Sequence, residues 1–236
     1  TVSQTMMVAQ HLYEHGQITY MRTDSVNLST LCLNSSKEEI TNLYGKEYSK
    51  RRQYHTNSKG AQEAHEAIRP TYMNVQAIEG TAQEKRLYDL IWKRTIASQM
   101  ADAEIEKTTV NIKIDTAEEQ FIAQGEVIKF DGFIKVYHES HDDDEQNDDD
   151  NTRMLPPLNE GQELTRREIQ ATERFSQGPL RYTEASLVHK LEELGIGRPS
   201  TYAPTITTIL ARRYVVKESR NLYVTELGEV VNSMMK

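Results

Sequence analysis

The spacing of apolar residues changes its period twice along this chain, and that limits the fold more than any single motif. Up to about residue 105 the apolar positions recur every three to four residues, as on a helix with one buried face. Val2, Met6, Ala9, Leu12 and Tyr13 mark a first helix that stops at Gly16, a residue suited to the turn past a helix end. A second helix is expected from Ser29, with Leu33, Ile40, Leu43 and Tyr44 inward and Gly45 behind it. Residues 50–60 are basic and rich in breakers, which predicts a loop, and 61–68 read as a short helix ended by Pro70. Thr81 followed by Glu84 is a capping box, opening a long helix whose Leu87, Leu90, Ile91, Ala97 and Met100 share a face.

After Glu106 the period falls to two. Thr108, Val110, Ile112 and Ile114 alternate with polar residues, and the pattern returns at 121–123, 127–130, 133–137 and 164–171, predicting an antiparallel sheet. Residues 139–150, ESHDDDEQNDDD, interrupt it with eight acidic residues and no basic ones. Charges at that density repel one another, so the run is expected as a long solvated hairpin loop. It has the letters of a divalent-cation site but no glycine turn to shape a cage.

From Thr183 the helical period resumes, with Leu187, Val188, Leu191 and Leu194 in a stripe ending at Gly195. Pro199 and Ser200 are expected to start another helix, with Ile206, Ile209 and Leu210 inward and Pro204 tolerated in its first turn. Residues 214–217 and 221–224 read as two strands around a polar turn. Helix, glycine turn, helix, hairpin is the order of a winged helix-turn-helix, whose second helix usually meets nucleic acid; generic α+β packing fits the same letters. The fold class is therefore α+β and multidomain: a helical domain over 1–105, a β-rich segment over 106–172 and a mixed, winged-helix-like piece over 173–236.

Net charge, −8, looks wrong for a nucleic-acid binder until its location is considered. Without the eight acids of the loop, acidic and basic residues are equal in number, and residues 46–72 and 181–220 are each locally basic by three charges. Either segment could track phosphates, and either could be ordinary solvated surface. No apolar run approaches the ~20 residues of a membrane helix, and the first residues do not resemble a signal peptide. These features predict a cytosolic protein with no membrane partner. The single cysteine, Cys32, rules out an intrachain disulfide or a cysteine-based zinc ribbon in this stretch and is expected as an apolar filler on its helix.

Chemistry is concentrated in Ile18-Thr19-Tyr20-Met21-Arg22-Thr23-Asp24-Ser25, just past the first glycine. A phenol ionises near pH ~10 and is a poor nucleophile at neutrality. A guanidinium two residues on could clamp a phosphate and favour phenolate. A polar turn with one aromatic ring explains the same letters. Together with AQEAHEAIRPT (61–71), RLYDLIWKR (86–94), EASLVHKLEELGIGRPSTYAPTI (184–206) and RRYV (212–215), the segment resembles the type IA DNA topoisomerases, in order and over essentially the whole chain. Met21 and the GIGRPST form are closer to the bacterial topoisomerase I branch than to topoisomerase III or reverse gyrase.

The resemblance implies that Tyr20 is the nucleophile, attacking one DNA strand, keeping the 5′-phosphate and releasing a 3′-hydroxyl. It implies that Arg22 holds the scissile phosphate, that His65 contacts DNA phosphate nearby, and that Arg198 and Thr201 bind the single strand leading to the cleavage site. Asp24 stands beside the nucleophile without an assigned role. The family's architecture is a toroid with a helical active-site domain and a β arch. Its Mg²⁺ is bound by an acidic cluster in a Toprim domain preceding this region, and many members add C-terminal zinc ribbons. Neither is expected here, so the chain is read as a central fragment whose partners are DNA, mainly single-stranded, and the Toprim domain of the same polypeptide, at a bacterial nucleoid. No nucleotide cofactor is expected, because a phosphotyrosine diester retains the energy of the broken bond and no G-x-x-x-x-G-K-[ST] loop is present.

Two rivals remain. A single-stranded DNA-binding module without catalysis would make Tyr20 structural. His11-Leu-Tyr-Glu14-His15 spells H-x-x-E-H, a zinc-peptidase pattern, although no third ligand is identifiable and solvated histidines near a helix end explain it as well. His65-Glu66 does not begin an H-E-x-x-H site, because Arg69 stands at the second histidine's place.

Overall fold

The computed structural model describes residues 1–54, 65–116, 118–138, 155–156, 158–176 and 178–235. It is a mixed α and β structure whose strands pair in two antiparallel ribbons. Two compact units form: residues 1–101, 133–138 and 181–236 make the first, and 102–132 with 139–180 the second.

Helices dominate the first unit: α1 (Val2–Glu14), α2 (Thr30–Tyr44) and α3 (Ala82–Ser98), then α4 (Glu184–Glu193), α5 (Tyr202–Ala211) and α6 (Glu226–Met234). Their ends follow the capping residues. Ser29 Oγ accepts the Cys32 N–H, and Thr81 and Glu84 close a reciprocal box at the start of α3. Past α1, Gly16 adopts φ +68°, and the N–H groups of Gly16 and Gln17 return to the carbonyls of Tyr13 and Leu12 at 2.8 and 2.9 Å. Gly195 and Ile196 repeat that arrangement after α4, bonding Glu192 and Leu191 at 2.9 and 2.8 Å.

Val8, Ala9 and Leu12 of α1, Leu33 and Ile40 of α2, and Tyr88, Trp92 and Ile96 of α3 share one core with Ile18, Met21, Met73 and Met100. Its two buried polar aromatics are satisfied: Tyr88 Oη donates to the Val75 carbonyl at 2.7 Å and Trp92 Nε1 to that of Met73 at 2.9 Å. Cys32 is buried as expected, and burial pushes its thiol pKa up. The N-terminus of α1 is tied to α4: the Val2 N–H bonds Glu184 Oε2 at 2.9 Å while Lys217 Nζ bonds Oε1 at 2.7 Å. Burial raises the Glu184 pKa, but these bonds outweigh it and the net shift is downward.

Several expectations fail for identifiable reasons. Of the face expected for α3, Ala97 and Met100 are buried and Leu87 and Ile91 pack on the core, but Leu90 faces out, and Tyr88, Trp92, Thr95 and Ile96 are buried as well. Residues 132–135 form a 3-10 turn instead of a strand, because Phe133 and Val136, three apart, both pack on the core. The short helix over 61–68 is not helical in its described part, 65–68, where the chain bends at 65 and 68. Residues 61–64 and the acidic loop 139–150 lie outside the described residues. The helix after the glycine turn begins at Tyr202 rather than Pro199, because the Thr201 hydroxyl closes a turn on Arg198 first.

Strands β3 (Val215–Glu218) and β4 (Asn221–Val224) match the predicted hairpin closely. What the sequence reading lacked is α6 behind it. Thr225 caps α6, and Gly228 there lets the helix approach Tyr214 so closely that a Cβ would sit 2.2 Å from the Tyr214 carbonyl oxygen.

In the second unit β1 (Glu104–Lys113) pairs antiparallel with β2 (Gln120–Phe130), so the stretches read at 121–123 and 127–130 are one strand. Lys107 stands opposite Glu126 at 2.9 Å and Lys129 reaches Glu106 at 2.7 Å. Residues 164–171 have strand-like alternation but no ladder, since no described strand lies beside them to take their backbone groups.

Candidate active site

The segment bearing Tyr20 is set by its neighbours on both sides. Ile18 and Met21, 2% and 3% exposed, are pulled into the helical core and leave Tyr20 and Arg22 outward. Opposite runs 69–71: Ile18 bridges Pro70 antiparallel, the Thr71 N–H bonds the Gln17 carbonyl at 3.0 Å, and the Thr19 N–H bonds that of Arg69 at 2.9 Å. Tyr20 is 38% exposed, which does not single it out, because Tyr72 at 66% is more open. Its ring contacts do. The His65 ring meets it edge-on at 5.8 Å and 87°, and Tyr13 packs from the other direction at 5.4 Å and 70°. Nδ1 of His65 is buried without a hydrogen bond, so the imidazole is held by packing and keeps that atom's capacity unspent.

Beneath the rings lies a polar network that sequence reasoning missed. Glu66 accepts Arg69 Nε and Nη2 at 2.8 and 2.9 Å and the Ser29 N–H at 2.8 Å, just before α2. Arg69 Nη1 donates to the carbonyls of Pro70 and Thr71 at 2.8 and 3.1 Å. Thr19 Oγ1 donates to the Ala67 carbonyl at 2.7 Å and accepts the Arg69 N–H at 2.9 Å. Burial raises the Glu66 pKa, but hydrogen bonds from Arg69 and Ser29 more than offset it and the carboxyl ends below its ordinary range. Arg69 is pushed up, burial opposing and Glu66 prevailing. A signal was available: Glu66 and Arg69 are three apart in the motif already singled out, and the arginine that spoils the zinc pattern is the glutamate's partner. Tyr13 was missed as a ring contact because it read as a core position of α1.

Arg22 is exposed and lines an open cleft of about 580 Å³. One wall is α1, through Met6, Met7, Gln10 and Glu14; the other is Pro199, Ser200 and the first turns of α5. Asp24 lies close enough to Tyr202 to help raise its pKa, after burial and Glu192. Thus the structure brings Tyr20 to His65, and Arg22 to the turn of the GRPST element. Arg198 and Thr201 do not line the cleft. Both are exposed, and they engage each other: the Arg198 N–H donates to Thr201 Oγ1 at 2.8 Å, and that hydroxyl returns to the Arg198 carbonyl at 3.0 Å.

No group of three or more His, Cys, Asp or Glu side chains that could hold a metal occurs among the described residues. These residues therefore do not suit the magnesium that the resemblance implies, and no chemistry is routed through a metal here. The zinc-peptidase reading finds its ligands otherwise engaged. His15 Nδ1 lies 2.7 Å from the His11 carbonyl, Glu14 accepts Gln10 Nε2 at 2.7 Å, and His11 faces Glu84 at 3.8 Å. No described helix is long and apolar enough to cross a membrane.

Comparison with known proteins bears on all of this. A family model described as DNA topoisomerase matches residues 1–236. DNA topoisomerase 1 of Synechocystis sp. (strain ATCC 27184 / PCC 6803 / Kazusa) is 47% identical over 237 residues, covering 98% of this chain and 26% of that protein. DNA topoisomerase 1 of Zymomonas mobilis subsp. mobilis (strain ATCC 31821 / ZM4 / CP4) is 44% identical over 239 residues, 99% of this chain and 20% of its own length. The structure of full-length topoisomerase I from Thermotoga maritima superposes with a TM-score of 0.78 at 34% identity, covering 99% of this chain and 38% of that one. The chain thus spans about a quarter or less of the length of these curated relatives. With the family model matched from end to end and the fold shared with a solved member, the chain belongs to the DNA topoisomerase family.

Proposed function

We propose that this chain is the part of a type IA DNA topoisomerase that carries the nucleophile. The observation that supports it most is the setting of Tyr20: an outward phenol on a backbone pinned from both sides, edge-on to an imidazole, two residues from an exposed arginine on an open cleft. In the reaction, Tyr20 Oη attacks a backbone phosphorus and the bond from phosphorus to the 3′ oxygen breaks. The phenolic proton ends on that oxygen, leaving a 3′-hydroxyl and a 5′-phosphate ester on Tyr20. Attack by the same hydroxyl reverses the step, so no nucleotide is consumed. Arg22 neutralises phosphoryl oxygens and favours their developing charge. His65 contributes an adjacent phosphate contact, and Arg198 and Thr201 grip the strand approaching the site.

On this reading residues 1–105 are the helical active-site domain, 106–172 belong to the arch and 173–236 are a winged-helix-like DNA-binding piece of a toroid. The full-length protein relaxes negatively supercoiled DNA at the bacterial nucleoid, with its magnesium held by a Toprim domain. This chain alone binds single strands weakly, with affinity falling as salt rises. The deciding experiment is Tyr20→Phe in the full-length enzyme: covalent DNA adduct and relaxation both vanish. An adduct that persists on another side chain refutes the assignment, and intact strand binding without any wild-type adduct favours a binding module instead.

A further inference from the structure

We infer that Thr19 and the Glu66–Arg69 ion pair are positioning residues that hold the Tyr20 phenol against His65, an assignment that rests on Tyr20 being the nucleophile. The two rings belong to segments far apart in sequence, and the buried Nδ1 of His65 has no hydrogen bond to fix its ring. They meet at 5.8 Å because the backbone beside each is fastened to the other. Thr19, next to Tyr20, makes three of those fastenings: its N–H to the Arg69 carbonyl at 2.9 Å, its hydroxyl to the Ala67 carbonyl at 2.7 Å, and the Arg69 N–H back to that hydroxyl at 2.9 Å. Glu66, next to His65, grips the Arg69 guanidinium with both carboxylate oxygens and takes the Ser29 N–H besides. The Ala67 N–H closes the loop on the Asn27 carbonyl at 2.7 Å, so the tract after Tyr20 is tied to the tract after His65 a second time.

Glu66, Ala67, Arg69 and Thr71 are thus each bonded to the 17–19 segment or to the 27–29 segment. Arg69 is the hub. Its side chain also holds the carbonyls of Pro70 and Thr71, which straightens the backbone that bridges Ile18. Displacement of a reacting group by about 1 Å can cost ~100-fold in rate. Two substitutions remove single fastenings with little change of shape. Thr19→Val deletes the hydroxyl and keeps the branched Cβ. Glu66→Gln keeps the volume but gives up the charge and one acceptor.

The test uses the full-length enzyme and a labelled single-stranded oligonucleotide. Single-turnover formation of the 5′-linked adduct is timed by rapid quench, beside oligonucleotide affinity and thermal melting. Thr19→Val is expected to slow adduct formation per folded molecule by roughly ten- to a hundredfold, with affinity within about twofold of wild type. Thr19→Ser, which keeps the hydroxyl, restores most of the rate, and Glu66→Gln slows the step in the same manner. A purely structural role would lower melting and leave the rate per folded molecule unchanged; that result overturns the inference, as does loss of fold in both Thr19→Val and Glu66→Gln. Tyr20→Phe is run alongside. Adduct in that control removes the nucleophile assignment itself, whereas a silent control with a fast Thr19→Val removes only the positioning role.

Discussion

The Tyr20 segment and the turn carrying Arg198 belong to one compact unit but are held in opposite ways. Around Tyr20 the backbone is fastened by a partly buried ion pair, an antiparallel bridge and core residues on both sides. The 195–201 turn bonds to itself, to the end of α4 and to the first turn of α5, and apart from the half-buried Pro199 its side chains lie in solvent. The contrast is the one that the proposed strand cleavage would demand. A nucleophile gains from being held where the phosphorus will be, since ordering it beforehand lowers the barrier. A surface that grips a flexible strand of variable sequence gains from reach and charge instead.

The contrast can be broken most forcefully at Arg69. Arg69→Ala strands the Glu66 carboxylate and frees two carbonyls, at a cost of about 3 kcal/mol in urea unfolding. A loss under ~1 kcal/mol would mean that the Tyr20 segment is no better fastened than the turn. Acid probes the same pair without mutation. The folded Glu66 pKa is depressed, so its contribution is complete above the unfolded value of ~4.3 and fades as pH falls through the folded value. Because Glu184 titrates in the same sense, the informative quantity is the stability gap between wild type and Glu66→Gln. That gap narrows as pH falls below about 4; a gap independent of pH would assign the effect to shape alone.

Two milder substitutions sharpen the other side. Gly195 has φ +69° with nothing within 4 Å of a Cβ position, so Gly195→Ala carries backbone strain alone, about 1 kcal/mol of stability. Oligonucleotide affinity in the full-length enzyme then changes little if the turn adapts. Arg198→Ala should leave melting within ~0.5 kcal/mol, weaken strand binding uniformly across sequences and reduce the salt slope by about one contact. An unchanged salt slope would remove Arg198 from the phosphate contacts.

How far the sequence could be read depended on whether a signal was local. Capping residues at Ser29 and Thr81, the glycines at 16 and 195 and the 215–224 hairpin came through because each acts on neighbours within four residues. Period-two letters failed at 133–137, where core packing demanded a spacing of three, and at 164–171, where no partner strand stood alongside. The α6 helix passed unnoticed because nine residues with an exposed apolar face look like a continuation of loop. Tyr20, Arg22 and the GRPST element were legible as motifs; that Arg22 and Pro199 line one cleft was not.

By itself, then, the sequence determined which family the chain belongs to and nominated the residues proposed to react, since both are written in residue identity and order. Only the tertiary structure decided what holds them. His65 reaches Tyr20, and Glu66 and Arg69 brace that meeting, across more than forty residues of intervening chain. Such contacts are chosen by burial, when a guanidinium leaving water must find every acceptor within reach, and no spacing rule along the chain encodes that search.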